Sequence, residues 1–202
     1  MGDLEDFPEL VPTPLGPRLT QAQLWDEAER PARTAPSPAA DYTTRGRAAA
    51  RSLKMIHDHL RRELETIRDL IEQVVSGDLD AHEAQLGLGQ TSMRQNNWAL
   101  GAYCASYCRL VAAHHGGEDT EIFPNLRWRE PALAPVLDRL AREHVLIHEL
   151  LDAVDAGLVA LVSGDGGVEQ MRGTVDTLSD ALLSHLAYEE SQLLEAFARY
   201  YG

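Results

Sequence analysis

Positive charge is scarce in this chain. Eighteen basic residues stand against thirty-two acidic ones, a formal net charge of −14, and Lys54 is the one lysine. Nucleic acids and anionic membranes both require a basic surface, so neither is an expected partner. Long apolar runs are missing too: nothing approaches the roughly 20 residues that span a bilayer. The opening residues, MGDLEDFPEL, are acidic and contain a proline, unlike a secretory signal. The chain is therefore expected to be soluble and cytoplasmic. Cysteine is limited to Cys104 and Cys108, four apart in a helical pattern. A disulfide across one helical turn fits the bond's geometry poorly, and no further Cys or His stands at zinc-finger spacing. Two small thiols in a reducing compartment are expected. Alternating strand patterns and nucleotide-binding glycine motifs are also lacking, so no sheet is expected and no electron donor is identified.

Proline is unevenly spread. Seven of the ten prolines fall in residues 1–42, at 8, 12, 14, 17, 31, 36 and 38. Such a segment cannot sustain long helices, and it is read as an extended or loosely docked arm, with residues 43–202 forming the folded domain. One short helix is expected inside the arm, because Thr20 followed by Gln23 resembles a capping box. Leu24 and Trp25 of that helix are expected to dock on the main body.

Beyond the arm the pattern is helical throughout. Leu53, His57, Leu60, Leu64, Ile67, Ile71 and Val74 alternate at spacings of three and four, one apolar stripe. His57 lies within it and His59 roughly 200° away. Gly77 closes this helix, and residues 78–90 read as a loop. A second helix fits residues 91–123, with Leu100, Tyr103, Tyr107, Leu110, His114, Glu118 and Ile122 on one face. His115 and Asp119 occupy a face about 100° away, with Cys104, Cys108 and Val111. The first pair is preferred. Gly116 and Gly117 each cost about 1 kcal/mol relative to Ala in a helix. Either something approaches closely there or the helix is distorted. Phe123-Pro124 is expected to end it. Pro131 and Pro135 suit the start of a third helix, running past His144 and His148 to Ser163. After the turn GDGG, a fourth helix spans 168–200 with His185 and Glu189 inward. The expected fold is all-α, an up-down-up-down antiparallel four-helix bundle.

Antiparallel order brings the inward polar residues to one level. His57 lies about 13 residues after the start of its helix, His114 and Glu118 about five to nine before the end of theirs, and the other pairs at similar offsets. At 1.5 Å per residue, His57, His114, Glu118, His144, His148, His185 and Glu189 share one third of the bundle. Buried imidazoles and carboxylates without partners are costly, and a metal resolves the cost. Seven donors are too many for one tetrahedral zinc. They suit two six-coordinate ions with shared carboxylates and a position left open. Imidazole and carboxylate without thiolate favour iron, with manganese or zinc as alternatives.

The order His57, His114-xxx-Glu118, His144-xxx-His148, His185-xxx-Glu189, with the surrounding IHDHLR, HHGGEDTEIFP and HLAYEE, resembles the hemerythrin-like, HHE cation-binding family over roughly residues 53–198. The resemblance implies two non-haem iron ions in a four-helix bundle, bridged by Glu118, Glu189 and a water-derived oxo or hydroxo group, with the five histidines as terminal ligands. Oxygen-carrying members use an aspartate five residues after the last histidine. Here that position is Glu190, which competes with Glu189; Glu189 is preferred because it shares the face of His185.

Functionally, the resemblance implies a small-ligand protein. Dioxygen, nitric oxide or peroxide would bind at the open iron position, in a carrier or a sensor. A His-rich shell carries less negative charge than a carboxylate-rich one and favours reversible binding over hydrocarbon oxidation. The first rival is a di-iron enzyme that consumes peroxide or nitric oxide, or oxidises a small organic substrate, with Trp98, Tyr103, Tyr107 and Tyr188 as pocket or redox neighbours. These aromatics also read as ordinary core. The second rival is an iron- or redox-responsive interaction module with the arm as its docking element. A homodimer is compatible with each.

Overall fold

The computed structural model describes residues 7–33, 42–76, 89–163 and 167–201, except for the side chains of residues 74, 76, 89–101 and 161–162. Among these residues every regular element is helical. The long helices are α1 (Thr44–Ser76), α2 (Gly89–Gly117), α4 (Ala134–Ser163) and α5 (Val168–Tyr200). A short α3 (Phe123–Arg129) continues from α2 through a π-helical turn, Glu118–Ile122. The expected stop at Gly77, the loop 78–90 up to residue 88, and positions 164–166 of the GDGG turn lie outside the described residues, as do the side chains of Val74, Trp98 and Leu100.

α1 begins where Thr43 caps it: the Thr43 hydroxyl accepts from the Gly46 amide at 2.8 Å, satisfying one of the free first-turn donors. Its stripe is buried as the spacing requires, with Leu53, His57, Leu60, Leu64, Ile67 and Ile71 at most 4 % exposed. Gly46 lets α1 meet the end of α5. A Cβ there would stand 2.1 Å from the Ala198 carbonyl oxygen, well inside contact distance. α1 packs on α5, α5 on α4, α4 on α2 and α2 on α1. The four long helices thus close a ring around a shared interior.

Two elements depart from expectation. Pro124 does not end the second helix. The π turn moves the hydrogen bonding out by one residue, the Phe123 amide reaching Glu118 O. Pro124 then falls in the first turn of α3, where its missing N–H costs nothing. The turn also shifts the buried positions: Phe123 and Leu126 face the core, while Ile122 is only half-buried. Gly116 and Gly117 have no atom near enough to meet an added Cβ, so close approach does not explain them; the π-helical turn begins directly after Gly117. The second departure is in the arm. No helix opens at Thr20. A short 3-10 turn, Glu27–Glu29, forms further on under an Asp26 cap instead, because Thr20 is engaged elsewhere, donating through its amide and hydroxyl to Asp180 at 2.8 Å each. Trp25 packs against the core as expected, but Leu24 is 39 % exposed.

The interior is layered. One apolar cluster contains Leu60, Leu64, Val111, Ile147 and Leu182. A second contains Leu53, Phe123, Leu137, Leu140 and Leu193. Along each helix the inward polar residues fall between the two: His57 between Leu53 and Leu60, His144 between Leu140 and Ile147. The polar layer is thereby sealed above and below by aliphatic side chains.

Candidate metal centre

Along α2 and into the π turn the buried stripe is Cys104, Tyr107, Val111, His115 and Glu118. It runs between the two faces weighed from the sequence. Leu110, assigned inward, is 37 % exposed. Because the inward direction bisects the His114–His115 pair, both imidazoles enter the interior. The π turn follows at once and turns Glu118 inward, fully buried; such turns recur at functional sites.

Two groups of donors result. In the first, His57, His114, Glu118 and Glu189 each place a ligand atom within 4.8 Å of the others. His57 Nε2 lies 3.1 Å from His114 Nε2. The second group is His115, His144 and His185, to the same limit. His115 stacks on His144 with centroids 4.0 Å apart. Glu118 touches both groups, Oε1 at 3.3 Å from His114 Nε2 and Oε2 at 3.5 Å from His144 Nε2. Glu189 Oε2 likewise lies 3.6 Å from His57 Nε2 and 3.7 Å from His185 Nε2. These separations are long for hydrogen bonds. They match donors sharing a cation: two atoms about 2.1 Å from one ion stand roughly 3.0–3.6 Å apart at angles between octahedral and trigonal.

Six of the seven residues expected from the sequence are therefore brought together. His148 stands apart from the 4.8 Å groups. Its ring is 5.4 Å from that of His115, and its Nε2 is buried without a partner. His115, passed over in favour of His114, holds a place beside His144 instead.

The other ring nitrogens are held from behind. Glu190 Oε1 lies 3.0 Å from His57 Nδ1, Asp119 Oδ1 2.9 Å from His144 Nδ1, and Glu143 Oε2 3.2 Å from His185 Nδ1. A carboxylate on Nδ1 fixes the tautomer that leaves the Nε2 lone pair free. Asp119 and Glu190, competitors for ligand roles in the sequence, thus act as partners of histidines. Glu143 is 1 % exposed, whereas Glu149 and Asp152 on the same helix are on the surface. None of these partnerships shows as a spacing, because each joins different helices. For His115 the sequence offered the HisHis dipeptide and the four-residue spacing to Asp119.

The electrostatics follow from burial. Loss of water pulls His114 down to about 4 and lowers His115 and His185 as well. These rings are neutral and available as ligands. Glu118 is raised well above the usual carboxylate range by burial and by neighbouring Glu189. Burial opposes the charge of Glu189 too, but His57, His114, His185 and His144 surround it and leave it below that range.

The donor set fits a metal on a second count. Both oxygens of Glu118 and Glu189, both nitrogens of His115, and Nε2 of His144, His148 and His185 are buried with no hydrogen-bond partner. Each such atom costs about 1–3 kcal/mol, and an ion satisfies several at once. The tyrosines considered as redox neighbours have structural bonds: Tyr107 donates to Leu60 O, Tyr188 to Pro31 O and Tyr103 to Glu63.

No helix among the described residues is long and apolar enough to cross a membrane. Comparison with curated proteins gives no match, and neither does comparison with solved structures. The hemerythrin HHE cation-binding domain matches residues 48–197, the span that carries all of the donors above, and the chain belongs to that family.

Proposed function

We propose that this chain is a non-haem di-iron protein that binds dioxygen, or a related small ligand such as nitric oxide or peroxide, as a carrier or sensor. The observation that carries the reading is the set of buried, partnerless donor atoms on Glu118, Glu189, His144, His148 and His185. One ion would be held by His57 and His114, the other by His144 and His185 with His115 in the same group and the partnerless Nε2 of His148 beside it, with Glu118 and Glu189 reaching both. An iron pair there supplies redox chemistry and an open position for a small ligand. The protein's own part is to keep the imidazoles neutral, hold their Nδ1 atoms on carboxylates, and exclude water with the aliphatic layers. The same reading takes residues 43–202 as an up-down-up-down bundle, residues 1–42 as its arm, and the cytoplasm as its location. The closed ring of helix contacts supports the topology.

Metal analysis with an absorption spectrum of the oxidised protein tests the centre. Two irons per chain and a shift of the spectrum on adding azide are expected. A chain that takes up no iron under reducing conditions ends the proposal.

A second reading, the enzyme, draws on one observation. A groove of about 390 Å³ opens between α2 and α4, lined by Ala105, Cys108, Arg109, Ala112, Asp152 and His148 among others. It reaches the centre through His148 and offers room for a small organic substrate. Steady-state consumption of peroxide that disappears on filling the groove by Ala112→Phe would favour it over the carrier.

A further inference from the structure

The bundle carries three carboxylates that its own fold leaves facing the arm: Glu143, Asp180 and Glu190, at most 7 % exposed. Each receives a partner from residues 13–30. Asp180 takes the Leu19 and Thr20 amides and the Thr20 hydroxyl, all at 2.8 Å. Glu190 Oε2 takes the Thr13 amide at 2.7 Å, while its Oε1 meets Arg61 at 2.8 Å and His57 Nδ1 at 3.0 Å. Glu143 takes Arg30 in a two-pronged pair, Nε and Nη2 each at 2.9 Å, beside Arg139 at 2.7 Å and His185 Nδ1 at 3.2 Å. Arg30 is itself fixed. It donates to Ser184 Oγ at 2.9 Å and lies over the Tyr188 ring at 4.6 Å and the Trp25 ring at 5.4 Å. Asp180 thus serves as an anchor, while the other two carboxylates are the ones that grip histidines of the centre, one in each donor group.

We propose that Thr13 and Arg30 are positioning residues of the metal centre, reaching His57 and His185 from outside the bundle through Glu190 and Glu143. The inference rests on the reading of the site as a metal centre. Its physical basis is that a carboxylate which fixes a ligating imidazole must itself be fixed. Outer partners of this kind change metal affinity by about 10–100-fold when lost. The two-pronged Arg30–Glu143 pair specifies orientation as well as charge, which a lysine would not reproduce. Coupling is reciprocal: if the docked arm tightens the ion, the ion tightens the arm.

The test uses the full chain loaded with ferrous iron or with cobalt(II), comparing wild type with Arg30→Ala, Arg30→Lys and the distant exposed control Arg127→Ala. Three measurements are made: the rate of ion removal by a chelator, the visible cobalt spectrum, and hydrogen exchange of residues 13–30 with and without metal. Arg30→Ala is expected to speed the loss of one ion of the pair about ten-fold or more, alter the cobalt spectrum, and abolish metal-dependent protection of the arm. Arg30→Lys should fall between, and Arg127→Ala should match wild type. A merely structural role would leave the cobalt spectrum unmoved. Wild-type stripping rates and spectrum in Arg30→Ala overturn the proposal while leaving the centre intact. A wild-type chain that holds no ion overturns both. Should Arg30→Ala fail to fold by circular dichroism, Arg30→Lys carries the same comparison.

Discussion

Adjacent residues with the same chemistry take different work in this protein, and the backbone period assigns it. His114 and His115 differ by about 100° of helix, and that rotation sends one toward His57 and the other onto His144. Glu189 and Glu190 differ likewise: the first meets Nε2 atoms, the second an Nδ1 atom. Their removal should have unequal effects. Glu189→Ala is expected to abolish binding of at least one ion, whereas Glu190→Gln should retain both and weaken affinity by about ten-fold. Isothermal titration with ferrous iron or zinc distinguishes them, and equal losses would refute the division of roles. The thiols offer a second check at this scale. Burial raises Cys104 to about 12 and Cys108 to about 11. Only the thiolate is nucleophilic, so alkylation of the native chain at pH 8 should be far slower than that of the unfolded chain. The effect on stability has a definite sign. Below the ordinary thiol value of 9.0 both states are protonated. Stability is lost as pH rises from there through the raised folded values, because the unfolded chain ionises first. Chemical denaturation across a series of alkaline buffers reads this directly.

At the scale of the element, two glycines invite opposite predictions. Ala is ordinarily favoured over Gly in a helix by about 1 kcal/mol. At Gly117, where φ is −66° and no atom stands near an added Cβ, Gly117→Ala should stabilise by up to that amount. At Gly46 the added methyl would strike the Ala198 and Phe197 carbonyls. Gly46→Ala should therefore destabilise, by about 1–3 kcal/mol as for other overpacked sites. Thermal melts of the two variants should shift in opposite directions. Helix limits were legible wherever the sequence carries its own punctuation. α5 runs from Val168 to Tyr200 and α1 from Thr44, as the spacing predicts. The π turn was not legible. The two glycines flagged a conflict, but nothing local says that an extra residue is accommodated by widening one turn. In the arm, the capping-box pattern at Thr20 lost to Asp180, which lies 160 residues further along the chain and whose buried carboxylate offers stronger bonds than a short exposed helix.

Across the whole molecule, the centre is a polar layer held between two apolar ones, and its cost is offset only when an ion is present. The partnerless atoms of Glu118, Glu189 and the histidines each carry a penalty of about 1–3 kcal/mol. Chelation should accordingly lower the melting temperature, with metal at about one hundred times its dissociation constant restoring about 2.7 kcal/mol. An apolar replacement such as His115→Leu should raise the stability of the metal-free chain while impairing loading of the His144–His185 group, since it removes an unsatisfied buried ring. Calorimetry with and without chelator tests both, and a metal-free chain as stable as the loaded one would contradict the role assigned to the layer.

The sequence by itself determined the helical class, most helix limits, and the residue types that meet at one level, because hydrophobic period and chain reversal are local or additive properties. Tertiary structure alone decided which face of α2 turns inward, that His115 joins His144 while His148 stands back, and that Glu143, Asp119 and Glu190 hold the histidines from behind. Those outcomes depend on how four helices rotate against one another and on what the arm covers. No window of sequence contains that information: each contact joins residues from separate elements, and its energy exists only once they are packed.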